Sequence, residues 1–160
     1  MQHDLVLLPQ AESIVDAVLF PRTILERMLQ YRQSGRSTPE SGGMILGRIR
    51  KTYLDITDIT VPGGSDFQSR FQFIRRGSCH FQRALEAWRE SNSEVGYLGE
   101  WHTHPEDSPR PSPIDLVGWR KVVIDGHSPY CFFIIVGVRS FYFCTGYLEH
   151  NGTVRFDVFS

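Results

Sequence analysis

The sequence predicts an α/β fold of the α+β type: a mixed sheet with much antiparallel pairing, flanked by helices. Three observations predict it. Helical stripes are interleaved with strand-like runs up to about residue 125. Three strand-like runs then follow one another to the end of the chain, a pattern that asks for antiparallel neighbours. The chain has 160 residues, enough for one hydrophobic core and hardly for two, so a single domain over residues 1–160 is expected.

Pro21 reads as the opening of the first helix, since proline suits a first turn, and Ile24, Leu25, Met28 and Leu29 share one face. That helix should run to about Gln33, where Ser34-Gly35 end it. Ser41 to Arg50 and Tyr53 to Val61 read as two strands joined by a short turn. The second alternates, with Leu54, Ile56 and Ile59 apolar and Asp55, Thr57 and Asp58 between them. Pro62-Gly63-Gly64-Ser65 is a turn signal, and Phe71 to Ile74 a further strand. Ser78 to Ser91 carries a helical stripe of Phe81, Ala84, Leu85 and Trp88. Val95 to Thr103 returns to a strand, Pro105 to Pro111 forms a rigid proline-rich loop, and a helix follows from Pro113 to about Asp125. Tyr130 to Val138, Phe141 to Glu149 and Thr153 to Phe159 complete the chain as strands, with Asn151-Gly152 as a hairpin turn.

Composition excludes several classes of function. The formal charge is −1, so no field steers the protein to nucleic acid or an anionic membrane. The longest apolar run, Cys131 to Val138, is far too short to span a bilayer, and no secretory segment opens the chain. Cys79, Cys131 and Cys144 are too few and too scattered for a disulfide framework. Cys131 and Cys144 lie in strand-like runs, as buried thiols commonly do, and a reducing, cytoplasmic compartment is expected.

The chemistry concentrates between Gly99 and Trp119. Successive side chains on a strand point to opposite faces, so His102 and His104 look the same way and Thr103 looks away. Pro105 stops the ladder, which leaves the pair at a strand end. Asp115 lies in the first turn of the following helix. His102, His104 and Asp115 make an N,N,O set that leaves zinc one open position for water. Ser112-Pro113-Ile114-Asp115 is also a capping box, which alone would explain both Ser112 and Asp115; the two roles are compatible. A hydrolytic centre also needs a carboxylate beyond the ligands to move protons. Glu100 shares the face of His102, deeper along the strand, where a hydrogen bond to a histidine is natural. Glu40, in Thr38-Pro39-Glu40-Ser41-Gly42-Gly43, precedes another strand. Spacing does not choose between them.

These residues resemble the JAB/JAMM metallopeptidases, or MPN domains. The family carries an upstream glutamate, then His-(Ser/Thr)-His-Pro, then a serine and an aspartate. His102-Thr103-His104-Pro105, Ser112 and Asp115 match at the usual spacing, and Pro39 to Gly47 resembles the segment bearing the upstream glutamate. The resemblance implies that His102, His104 and Asp115 bind one Zn2+ per chain, that Glu40 is the general acid/base, and that Ser112 helps hold the oxyanion. It implies a curved mixed sheet between helices, similar to the cytidine deaminases, although their Pro-Cys-x-x-Cys signature is absent.

Gly99 to Glu106, the Pro-Arg-Pro-Ser-Pro run and Trp119 are further similar to a bacterial subgroup found in CBASS anti-phage operons. There the peptidase removes a nucleotidyltransferase conjugated to targets through its C-terminus. The implied partner is therefore a protein with an extended C-terminal tail, either a conjugated nucleotidyltransferase or a ubiquitin-like protein, with no nucleic acid and no membrane. Two rival readings are a peptidase that trims a ubiquitin-like or sulfur-carrier precursor tail, and a non-catalytic MPN interaction module.

Asp66 to Gly77, rich in phenylalanine and arginine, reads as a core strand with solvated arginines; the rival reading makes Phe67, Phe71 and Phe73 contacts for a substrate tail. His80, His127 and His150 have no ligand-like spacing, and His80 is expected on an ordinary helix face. Trp101 points away from the histidines and should be core.

Overall fold

A computed structural model describes residues 4–160. Their elements run β1 (Leu5–Leu7), β2 (Ala17–Phe20), α1 (Arg22–Leu29), β3 (Gly42–Arg50), β4 (Tyr53–Ile59), β5 (Phe67–Ser69), β6 (Gln72–Ile74), α2 (Ser78–Glu90), β7 (Gly96–Thr103), α3 (Pro113–Asp125), β8 (Cys131–Val136), β9 (Phe141–Leu148) and β10 (Val154–Phe159). Eight strands form one mixed sheet in the order β1-β2-β4-β3-β7-β8-β9-β10. The sheet curls until its ends meet. The Leu8 and Ser160 amides each donate to the other's carbonyl at 3.0 Å, and Pro9 bridges to Phe159. Closure of this kind removes exposed edges.

The two faces of the sheet have different partners. On one, Phe20, Leu54, Trp101, Phe132 and Ile134 join Ile24, Leu25 and Met28 of α1 in the largest apolar cluster. On the other, α3 lays Trp119 and Val123 over Phe133, Ile135 and Cys144, while Ala87 of α2 covers Met44 and Leu46. The alternation of β8 between the two clusters explains its unbroken apolar sequence: both faces are covered. Cys131 and Cys144 are buried, as expected of them, and burial pushes the Cys131 thiol up to about 11.

A bulge in β7 decides which face the histidines occupy. Ile45 of β3 lies opposite Gly99, but Leu46 lies opposite Tyr97, so one residue is extra. Leu98 and Trp101 consequently both enter the inner cluster. A Cβ at Gly99 would come within 1.9 Å of the Phe132 carbonyl oxygen, so only glycine lets β8 approach this closely. Beyond the bulge, Glu100 and His102 look outward. β7 and β8 are parallel, and α3 is the crossover between them. Such a crossover returns its helix over the sheet and sets the helix N-terminus near the carboxyl end of the first strand.

The structure corrects four expectations. Helix α1 stops at Leu29, not near Gln33, because the buried Gln33 amide turns to the carbonyls of Thr38 and Arg70. Residues Phe67–Ser69 and Gln72–Ile74 form a separate two-stranded hairpin, not a core strand, and Phe71 at its tip is 80% exposed. The buried face of α2 is carried by His80 and Ala87, while Phe81 and Trp88 face solvent. His80 is thus no ordinary surface position. It bridges Thr60 Oγ1 at 2.5 Å and Asp66 Oδ2 at 2.6 Å, and so ties the loop before the hairpin to α2. Trp101 is core as expected, donating its indole N–H to the Thr60 carbonyl at 2.8 Å. Among the described residues, no helix is long and apolar enough to cross a membrane.

Candidate metal centre

Three elements bring their ends together on the outer face of the sheet. His102 is the penultimate residue of β7. His104 lies one residue beyond the strand, held there because its amide donates to the Val136 carbonyl at 3.0 Å. Ser112 is the N-cap of α3. Its Oγ accepts from the Asp115 amide at 3.2 Å, and Asp115 Oδ2 accepts from the Ser112 amide at 2.7 Å, so both arms of the capping box are made. The cap aims the same carboxylate at both rings: Asp115 Oδ1 lies 3.2 Å from His102 Nε2, and Oδ2 lies 3.3 Å from His104 Nε2. The two Nε2 atoms are 3.0 Å apart.

These spacings fit a divalent cation. Zinc bonds of about 2.0–2.1 Å to nitrogen or oxygen, arranged tetrahedrally, set neighbouring donors about 3.3–3.4 Å apart. Donor atoms separated by 3.0–3.3 Å can serve as one face of such a tetrahedron. Among the described residues, His102, His104 and Asp115 are the group of metal-binding side chains whose donors converge in this way. Two imidazoles and one carboxylate also leave a single negative charge for a dication to offset.

The electrostatics reflect the cluster. Burial would raise Asp115, but the hydrogen bonds from His102, His104 and the Ser112 amide outweigh it and hold the carboxyl far below the usual range. Burial would lower His104, but the Asp115 carboxylate outweighs it, and the ring is raised. His104 Nδ1 is buried without a hydrogen-bond partner, with Glu106 Oε2 3.8 Å away. The His102 ring packs on Trp119 at 6.1 Å between centroids, and Trp119 stacks on Phe133 at 4.7 Å.

Glu40 and Glu100 line the same cavity of about 340 Å³, together with Phe73, His102, Asp115 and Trp119. Their surroundings differ. Burial raises Glu40 against the attraction of His102 and His104. Glu100 is ion-paired to Arg75 Nη2 at 2.9 Å, so its carboxylate turns to an arginine and not to a histidine, as its place along the strand had suggested.

Thr103 and Gln33 hold Glu40 in register, and sequence reasoning missed this role. Thr103, the residue between the histidines, faces inward. Its Oγ1 accepts from the Ser41 amide at 2.9 Å and donates to Gln33 Oε1 at 3.1 Å, while its own amide donates to the Ser41 carbonyl at 2.9 Å. The segment bearing Glu40 is thereby fastened to the segment bearing both histidines. A small polar residue at an inward strand position is a sequence signal for such a tie, but its partner cannot be read from the chain.

Residues 21–146 match the family of prokaryotic homologs of the JAB domain. The chain belongs to that family. Glu40, His102, His104, Ser112 and Asp115 all lie inside the matched span, and β1, β2, the last two residues of β9 and all of β10 lie outside it. A relative in Vibrio cholerae serotype O1, a CD-NTase/cGAS isopeptidase, is 39% identical over 142 residues, 89% of each chain. Relatives of the same name in Escherichia coli and Pseudomonas aeruginosa are 41% and 39% identical over 102 and 103 residues, 64% of this chain and 65% of theirs. The solution structure of a Desulfitobacterium hafniense protein has a similar fold, with a TM-score of 0.55 at 20% identity over 84% of this chain and 86% of that one.

Proposed function

We propose that the protein is a zinc-dependent isopeptidase that hydrolyses the bond after the C-terminal residue of a conjugated protein. The convergence of His102, His104 and Asp115 beside the half-buried Glu40 is the observation that carries this reading. The relatives' shared name, CD-NTase/cGAS isopeptidase, supports a nucleotidyltransferase as the conjugated partner. Bacterial cytoplasm and anti-phage defence are the setting that goes with such a substrate.

His102, His104 and Asp115 would hold zinc, which supplies Lewis acidity to the scissile carbonyl and acidity to the attacking water. Glu40 accepts a proton from that water and passes it to the departing lysyl amine. Burial raises its affinity for protons above that of an ordinary carboxylate, which strengthens it as a base and leaves it able to return the proton as the acid. The Ser112 hydroxyl accepts the Asp115 amide through a lone pair and keeps its own proton for the oxygen on which charge develops. Among the described residues, strand β6 pairs only with β5, and Phe73 and Ile74 line the cavity, so an extended tail can add to this edge and bring its carbonyl to the histidines.

The test is cleavage of a purified isopeptide-linked nucleotidyltransferase conjugate by the zinc-loaded protein and by Glu40→Gln. The wild type should release the free C-terminus, and the variant should keep zinc but lose about 10²–10⁴-fold in kcat. Full activity in the variant removes Glu40 from the mechanism. Cleavage of a linear fusion but not of the conjugate marks the protein as a precursor-processing peptidase.

A further inference from the structure

Asp66 lies at the root of the β5–β6 hairpin, and its carboxylate receives four donors. Oδ2 accepts from the Gly63 amide at 2.8 Å and from His80 Nε2 at 2.6 Å. Oδ1 accepts from the Arg76 and Gly77 amides, both at 2.7 Å. Gly63 precedes the hairpin, and Arg76 and Gly77 follow it, so one side chain gathers both stems. That side chain is fully buried, and a charge taken out of water so completely needs its lone pairs occupied, as they are here. Gly77 is also the N-cap of α2 and has no side chain to cap it, so the carboxylate adds the negative charge that a helix start favours.

His80 carries the fastening into the sheet. Its Nε2 faces an acceptor and so bears a proton, while its Nδ1 meets Thr60 Oγ1. That oxygen accepts from the Met44 amide of β3 at 2.7 Å. The Thr60 carbonyl accepts the indole N–H of Trp101, the neighbour of His102, at 2.8 Å. A run of buried hydrogen bonds thus joins the strands under the histidines to the root of the hairpin.

The hairpin itself surrounds Glu40. The Ser69 carbonyl accepts from the Glu40 amide at 2.7 Å, and Gln68 Nε2 donates to the Glu40 carbonyl at 3.1 Å. The Phe73 amide lies against the Glu40 carboxylate and favours its charged form. The Phe73 ring covers Gly42, where a Cβ would come within 2.7 Å of its Cδ1. Strands β5 and β6 have three residues each and, among the described residues, pair only with each other. A two-stranded ribbon so short has no fixed place of its own. Gln33 and Arg70 hold its tip, through the Arg70 and Gly35 carbonyls, and Asp66 holds its root.

Resting on the isopeptidase reading, we propose that Asp66 is a positioning residue: with His80 and Thr60 it clamps the root of the hairpin, and the hairpin holds Glu40 in the geometry that proton transfer requires. Asp66 acts through Glu40 and not by contact with the substrate. Asparagine cannot take its place. Whichever way the amide is turned, its NH2 group faces a backbone amide that can only donate, either that of Gly63 or those of Arg76 and Gly77.

Asp66→Asn should lower kcat on the isopeptide-linked nucleotidyltransferase conjugate about 10–10²-fold, with zinc held at one per chain. A double-mutant cycle shows whether the loss passes through Glu40. In single turnovers, adding Asp66→Asn to Glu40→Gln should slow the reaction by no more than about twofold, because the group it positions is already gone. Hydrogen exchange reads the clamp apart from turnover. Amides of β5 and β6 should exchange about tenfold or more faster in Asp66→Asn, while those of β3 and β7 keep their protection. His80→Gln, which can still donate to Asp66 but releases Thr60, is the milder change and should follow the same pattern with smaller losses. An undiminished kcat, loss of zinc, equal losses in the two backgrounds, or hairpin exchange that is unchanged or rises only with the whole sheet overturns the clamp. Failure of both variants to fold makes these residues merely structural and overturns it too. A wild type that leaves the conjugate intact refutes the isopeptidase reading, and the exchange comparison then decides whether Asp66 fastens the hairpin.

Discussion

At the scale of single residues, one carboxylate has two tasks and one hydroxyl holds two segments together. Asp115 closes the cap of α3 and faces both imidazoles, so the helix start itself fixes the third donor. Zinc and protons compete for these donors. Because Asp115 raises His104, the ring holds its proton to higher pH than a free histidine, and zinc affinity should fall as pH drops through that raised value. Competition titration against a chelator across pH checks this; an affinity flat through that range contradicts it. Thr103→Val keeps shape but strips the Ser41 amide of its acceptor, at a cost of about 1–3 kcal/mol. Zinc content should stay at one per chain while kcat falls with little change in KM, and Thr103→Ser should restore the rate. Zinc loss alongside the fall would make the tie merely structural. The histidine pair and Asp115 were legible in the sequence because their spacing is local. Gln33 and Thr103, 70 residues apart, and Trp119 under the His102 ring were not, since those contacts exist only after the chain has folded.

At the scale of elements, the bulge at Gly99 sets the face on which the site is built. Gly99→Ala pushes a methyl group into the Phe132 carbonyl, and the β7–β8 pairing must give way. Denaturant unfolding should show a loss of about 2–4 kcal/mol; a variant as stable as the wild type would mean that the bulge tolerates a side chain. The long strands and α3 were readable, because their patterns extend over many residues and α3 has a proline, a capping box and Gly126 as start and stop signals. The short strands β1, β2 and β5 were not, having three or four residues each, too few for a period to show. Helix α2 misled for a different reason. The Thr60–His80–Asp66 chain pays for burying a polar residue, so the apolar stripe of Phe81 and Trp88 turned out to be the outer one.

At the scale of the whole molecule, the parallel β7–α3–β8 crossover accounts for the site. It brings the start of α3 back over the end of β7, while antiparallel β3 delivers Glu40 from the other side. Curvature closes the rest of the sheet behind them, and the proline-rich loop between strand and helix is pinned by the Val138 amide donating to the Glu106 carbonyl at 2.8 Å. Mixed pairing and flanking helices followed from the order of elements; closure through Leu8 and Ser160 did not, because it depends on contacts between the two ends of the chain. The central claim is that His102, His104 and Asp115 together bind one zinc ion. Zinc-edge X-ray absorption on protein purified without chelator tests it most directly. One zinc per chain is expected, with two imidazole nitrogens and oxygen donors at about 2.0–2.1 Å. Zinc bound to sulfur at about 2.3 Å, or no loss of zinc in Asp115→Ala, would contradict it.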